Sequence, residues 1–201
     1  MKTIYAGFIG KGNCGKGTQA KLLAEKYGLQ MISTGSMLRD WVLKEPNHFL
    51  SEKINNDIDN GSLIPSAVVF YLWFSKLITL DGSQGIVFEG SPRMLIEGQA
   101  MEEFFRWMGN NNLFIFNLNI PDEESAYRSS IRRYCPKCHK TYSLDFDPGI
   151  THCKDDNTEL IIRDDDKPEV VQKRIEEFNK FVVPTVDFLR SKGVLYDING
   201  V

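Results

Sequence analysis

The sequence predicts an α/β fold, with a parallel five-stranded sheet between two layers of helices and two insertions that interrupt the alternation. Three observations lead there. Short β-branched and aromatic runs alternate with segments of helical period, which calls for crossover connections and a sheet covered on both faces. The first run ends at a glycine-rich turn that opens directly into a helical pattern. Three of the 4 cysteines, Cys135, Cys138 and Cys153, crowd into a stretch that follows neither period.

Residues 3–9 (TIYAGFI) form the first strand, since such runs suit a pleated, buried surface. From Lys16 the apolar spacing is helical and stops at Gly28, a suitable C-terminal cap. A short strand over 29–33 precedes a helix over 36–44, which Pro46 breaks. Another short helix over 51–60 ends before Gly61 and Pro65, so 34–65 reads as an inserted flap. Then come a helix over 66–80, a strand over 85–89, a helix over 95–108, a strand over 113–120 and a helix over 122–133. Residues 134–163 break the rhythm, and the whole insertion spans 128–165. A long amphipathic helix over 168–192 and a strand over 194–198 return to the sheet.

With 201 residues and 42% hydrophobic content, residues 1–201 make one domain with insertions. The formal net charge of −3 argues against general affinity for nucleic acid or an anionic membrane, which needs a cationic surface. The N-terminus lacks a signal-peptide core, and no run approaches the roughly 18 apolar residues of a membrane span. A cytoplasmic location is expected.

Gly10-Lys11-Gly12-Asn13-Cys14-Gly15-Lys16 fits GxxxxGK between an expected strand and an expected helix. Glycines let successive N–H groups curl round phosphate oxygens, the helix N-terminus adds positive potential, and Lys16 can reach a transferring phosphoryl group. The plainer alternative is a glycine-rich turn with a surface lysine. The motif alone implies nucleotide binding without choosing among kinase, GTPase and ATPase. Cys14, beside Lys16 and a helix N-terminus, is either a reactive thiol that ATP would shield or a small residue filling space.

Cys135-x-x-Cys138 and Cys153-x-x-Asp156 have the spacing of two ligand knuckles, and three thiolates with one carboxylate suit a closed, structural Zn²⁺ site. His139, His152 and Asp155 are rival fourth ligands. A segment this polar cannot build its own core, so a metal would supply its fold. The knuckles also raise a zinc-ribbon nucleic-acid module as an alternative. Against it, Asp145, Asp147, Asp155, Asp156 and Asp164–Asp166 surround them, where a ribbon would carry basic and aromatic residues.

The segments GKGTQAKLLAEKYG, ISTGSMLR, GSLIPSAVV, EGSPR, RSSIRRYCPKC and RIEEF, in that order, resemble the motif series of adenylate kinases over nearly the whole chain. The resemblance implies a P-loop three-layer fold, a helical insertion that binds a nucleoside monophosphate, and a zinc-type lid. It implies Mg²⁺-dependent phosphoryl transfer from ATP to AMP. It further implies that Gly10, Gly12, Asn13, Cys14, Gly15, Lys16, Gly17 and Thr18 hold ATP, together with Arg128 and Tyr142. Thr34, Gly35, Arg39, Ile64, Gly90, Arg93 and Glu97 would form the AMP site. Lys16, Arg93, Arg132, Arg163 and Arg174 would act on the transferring group. Expected partners are ATP, AMP and ADP, with no nucleic acid and no membrane, and the expected state is a monomer.

The chain departs from the family pattern at several positions. Gly12 and Asn13 occupy the third and fourth loop positions, Ser36 stands where aspartate is common, and Glu89 replaces an aspartate expected near the Mg²⁺ waters. Family members continue past 199–201 into a last helix. Glu97 stands where the family carries a glutamine that reads adenine. An ionised carboxylate only accepts, so pairwise chemistry favours GMP, whereas the whole-chain resemblance and Thr34 favour AMP. AMP is the expected acceptor. A nucleotide-binding scaffold without activity is the remaining alternative.

Overall fold

The protein is described by a computed structural model that covers residues 3–80, 82–109 and 112–201. Seven strands occur among these residues: β1 (Tyr5–Gly10), β2 (Gln30–Ser33), β3 (Ile86–Glu89), β4 (Leu113–Asn119), β5 (Arg132–Tyr134), β6 (Thr141–Ser143) and β7 (Leu195–Asn199). Five form one sheet in the order β2-β3-β1-β4-β7, and every pair in it is parallel. The helices are α1 (Lys16–Tyr27), α2 (Thr34–Lys44), α3 (Phe49–Asp59), α4 (Ser66–Leu77), α5 (Leu95–Trp107), α6 (Asp122–Ser130), α7 (Pro168–Glu177) and α8 (Val183–Ser191).

Strand periodicity sorts the core into two layers. Tyr5 and Ile9 of β1 with Ile86 and Phe88 of β3 face Trp73, Phe105 and Leu189 from α4, α5 and α8. Ala6, Phe8 and Val87 point the other way, against Ala20 of α1. Phe88 is 1% exposed and makes edge contacts with Trp73 and Phe105. Truncating it to alanine would cost about 3–5 kcal/mol, because the sheet cannot collapse onto the cavity. The chain leaves the central strand β1 for β2 and β3 on one side and reaches β4 on the other. That reversal opens a crevice at the strands' C-terminal ends, directly beside the loop that follows β1.

Two segments stand outside this scaffold. In α2 and α3, Leu38, Val42 and Ile54 pack with Leu72 of α4, and Ile64 lies against them. The Ser33 hydroxyl caps α2 by accepting from the Ser36 N–H. Further on, β5 and β6 pair antiparallel, and isolated bridges join Tyr134 to Ile161 and His152 to Glu159. The core of this module is small: Cys135, Tyr142, Cys153 and Leu160, with Ile150 against them.

Most bounds fall within two residues of expectation, and three helices depart further. The helix expected over 122–133 ends at Ser130, because the next residues pair as a strand with β6. The Ser129 and Ser130 hydroxyls also bond back to the carbonyls of Ser125 and Tyr127, as serines do where a helix ends. The helix expected over 168–192 is broken by a π turn, Phe178–Val182. Pro184 has no N–H to give the preceding turn, and the wider turn absorbs that loss. The helix expected over 66–80 stops at Leu77.

Candidate active site

β1 delivers its last residue, Gly10, against β4. A Cβ at Gly10 would lie 2.6 Å from the Leu118 carbonyl oxygen, so only glycine allows this crossing. Asn13 (φ 55°) and Gly15 (φ 96°) then take left-handed conformations, which turn the loop N–H groups inward as α1 begins. The result is a concave anion cradle at a helix N-terminus. Gly12, Lys16 and Lys11 line the cleft it opens on, while Gly17 and Thr18 sit exposed at the start of α1. Cys14 is 3% exposed and packs with Ala6, Phe8 and Leu118. This position suits the space-filling reading rather than that of a reactive thiol.

Lys16 folds back into this cradle. Its Nζ donates to the Gly10 carbonyl at 2.8 Å and to the Lys11 carbonyl. Burial pushes its pKa down, Cys14 and Glu89 oppose that shift, and Arg93 and Arg174 reinforce it. Lys16, Arg93 and Arg174 line one cleft, and the Glu89 carboxylate favours the charged forms of Lys16 and Arg93. Glu89 accepts from the Ser33 hydroxyl at 2.7 Å.

Arg93 follows a cis Ser91–Pro92 peptide, and its Nε donates to the Gly90 carbonyl at 2.9 Å. Burial lowers its pKa, Arg174 adds to that effect, and Glu89 and Glu97 act against it. Two further bonds fix its backbone. Thr185 Oγ1 donates to the Arg93 carbonyl at 2.8 Å, and Glu97 Oε2 accepts the Arg93 N–H at 2.7 Å. Glu97 Oε1 accepts from Ser66, and the whole residue is 1% exposed. Thr34 is similarly occupied: its hydroxyl lies 2.6 Å from Ser91 Oγ and accepts from the Trp73 indole. Arg39 lies over Gly35, at the N-terminus of α2.

The remaining arginines of the cluster meet two buried carboxylates that the sequence reading missed. Asp165 accepts from Arg163 at 2.7 Å and from Arg174 at 2.6 Å. Asp166 takes a two-point grip from Arg132, Nε to Oδ2 at 2.7 Å and Nη2 to Oδ1 at 2.6 Å. Burial alone would raise the Asp165 pKa, but Arg174, Arg163, Arg132 and Arg39 outweigh it and hold it low. Leu63, Glu177, Phe178 and Val182 also line the cleft. The π turn thus borders the site, where such turns are frequent.

Three expected site residues lie apart from this cluster. Arg128 is held by Glu124 at 2.6 Å and by the Gly200 carbonyl at 2.9 Å. Tyr142 is buried in the cysteine module, its hydroxyl 3.2 Å from Cys153 Sγ and accepting from the Lys154 N–H. Ile64 packs into the core of α2 and α3, whereas Leu63 beside it reaches the cleft.

In the cysteine module, one ligand atom from each of Cys135, Cys138, Cys153 and Asp156 lies within 4.8 Å of the others. Three sulfurs and an oxygen at this spacing can surround one metal ion tetrahedrally. The rivals are turned to other partners: His139 to the Tyr134 hydroxyl, His152 to Thr151 at 2.9 Å, and Asp155 to Lys140 at 2.9 Å.

A phosphate cradle at the crevice of a parallel sheet, faced by arginines that can neutralise phosphate charge, defines the P-loop phosphotransferase class of α/β proteins. A family model described as adenylate kinase matches residues 8–194. The chain is 37% identical over 195 residues to an adenylate kinase of Archaeoglobus fulgidus, covering 96% of this chain and 89% of the relative. It is 35% identical over 204 residues to one of Lachnospira eligens, covering 100% and 92%. An adenylate kinase of Mesomycoplasma hyopneumoniae is 37% identical over 191 residues, covering 94% and 87%. The chain belongs to the adenylate kinase family.

Proposed function

We propose that this chain catalyses reversible transfer of the γ-phosphoryl group of ATP to AMP, giving two ADP. The convergence of Lys16, Arg93 and Arg174 on one cleft lined by Gly10 and Gly12 of the phosphate cradle is the observation that carries this reading. Phosphoryl transfer asks little covalent chemistry of the protein, so in-line positioning and charge neutralisation supply the catalysis. The cradle N–H groups and Lys16 hold the ATP phosphates, with Lys16 leaving the Gly10 carbonyl for a phosphate oxygen. Arg39 and Arg93 hold the acceptor phosphate, and Arg132, Arg163 and Arg174 neutralise the migrating group. Mg²⁺, when bound, would supply positive charge that offsets the charge of the ATP phosphates. Thr18 and Glu89, at the cradle and at the end of β3, are the residues that would hold it or its waters.

Residues 34–65 act as the monophosphate flap and 128–165 as a lid pinned by Zn²⁺ on Cys135, Cys138, Cys153 and Asp156. The small apolar core of the module supports a structural role for the metal. Closure of lid and flap would keep water from the phosphoryl group. Gly61 lies against Arg174 and Val170 of α7, and Lys173 donates to Ser62 at 2.9 Å, so the flap has a contact that can hold it near the cleft. Glu97 is 1% exposed and directs one carboxylate oxygen to the Arg93 N–H and the other to the Ser66 hydroxyl, a placement that favours AMP over a guanine read by Glu97. Among the described residues no helix is long and apolar enough to cross a membrane. The direct test is ADP formation from ATP, AMP and Mg²⁺; a chain that binds ATP yet forms no ADP would be a scaffold.

A further inference from the structure

The phosphate loop is tied to the elements behind it through one side chain. Asn13 Nδ2 donates to Ser129 Oγ at 2.6 Å and to Asp166 Oδ1 at 3.2 Å, so both amide protons are used. Ser129 Oγ passes its own proton to the Ser125 carbonyl at 2.8 Å, and Ser125 Oγ donates to the Gly12 carbonyl at 2.8 Å. Loop and α6 are therefore joined by a closed hydrogen-bond circuit, buried at Ser125 and Ser129. Asp166, the second acceptor, has a side chain 1% exposed and grips Arg132 through Nε and Nη2. That grip leaves the Nη1 side of the guanidinium plane as the side able to meet a phosphate oxygen.

We infer that Asn13 is a positioning residue for phosphoryl transfer: its amide ties the phosphate loop to the Asp166 carboxylate that orients Arg132. Three features carry the inference together. Asn13 holds a left-handed φ of 55°, a conformation that most side chains disfavour, while making two partly buried bonds across 116 and 153 residues of sequence. Asp166 is an acceptor shared by the loop and by the arginine. Arg132 has 18% side-chain exposure, so its orientation is set by Asp166 more than by solvent. The inference rests on the proposed role of Arg132, and the experiment separates the two.

The experiment compares wild type, Asn13→Gly, Arg132→Ala and the double variant in ATP-to-AMP transfer, with melting temperature measured on each. Glycine suits the left-handed position and removes only the two donors. Asn13→Gly is expected to lower kcat about tenfold, the effect of losing a hydrogen bond to a charged group. The KM for ATP should stay within about twofold, because uniform binding is untouched. In the Arg132→Ala background the same substitution should lower kcat no further. A purely structural role would move the melting temperature and lower kcat by the same factor in both backgrounds. That result, or an unchanged kcat, overturns the positioning role while the transfer reading stands. A folded wild type without transfer overturns both. Asn13→Asp, which keeps the shape but sets a carboxylate beside Asp166, should lose at least as much kcat as Asn13→Gly.

Discussion

Lys16 Nζ donates to the Gly10 carbonyl at 2.8 Å, so the side chain expected to meet the transferring phosphoryl group is stored inside its own loop. Bound phosphate must displace that carbonyl as lysine's partner. Lysine contributes nothing to the apolar core here, and burial disfavours its charge. Lys16→Ala should therefore keep the melting temperature of the wild type or raise it. Turnover should fall by about 100-fold or more, as when a transition-state charge stabiliser is removed. Near-normal turnover in this variant would remove the phosphate-loop assignment.

A second prediction concerns the cysteine module. Metal analysis of protein purified without chelator should find one zinc per chain. Chelation should raise hydrogen exchange across β5 and β6 before it changes the sheet, since the module has few apolar residues of its own. Protein that carries no zinc, or whose module stays protected after chelation, would contradict this assignment.

Asp165 provides a pH prediction. Its folded pKa lies below the ordinary carboxylate value, so it contributes stability that is complete above about pH 4 and is lost as pH falls through the folded value. Asp165→Asn leaves Arg163 and Arg174 without their shared acceptor and should cost about 3–5 kcal/mol at pH 7. The gap between variant and wild type, read by urea unfolding, should narrow below pH 4. A gap that stays constant to pH 3 would show that the ion pairs are not its source.

Glu97 has the opposite sign. Burial raises its pKa against the opposing bonds from Arg93 and Ser66. An acid raised in the fold favours folding at low pH, and that contribution is lost as pH rises from the ordinary glutamate value through the folded one. Glutamine can accept from the Arg93 N–H and donate to Ser66, so Glu97→Gln should match the wild type near pH 4 and exceed it at pH 8. Lower stability at pH 8 would mean that the ionised carboxylate is needed where it sits.

The parts of this fold legible in the sequence are those written locally. Gly10, Gly15 and Lys16 stand at fixed offsets after a β-branched run, and Cys135, Cys138, Cys153 and Asp156 repeat one spacing, so the glycine-rich turn and the cysteine cluster that the structure brings together are visible as candidates without a structure. The π turn was not, because the pattern over 168–192 is periodic on both sides of Pro184 and only the proline marks the interruption. In the sequence alone Asp165 and Asp166 belong to an acidic surface. Their burial depends on arginines from β5 and α7 arriving from elsewhere in the chain, which no window of sequence contains. Tyr142 and Ile64 followed motif position, and their packing turns them into local cores instead.

The central claim is a phosphotransferase acting between ATP and AMP, and the acceptor panel tests it most directly. With ATP and Mg²⁺ held constant, kcat/KM should be measured for AMP, GMP, CMP and UMP on wild type and on Glu97→Gln. The account predicts that AMP is the best acceptor for both proteins, because the Glu97 carboxylate is engaged by Arg93 and Ser66. A wild type that prefers GMP, with preference moving toward AMP in Glu97→Gln, would contradict it and make Glu97 a reader of guanine.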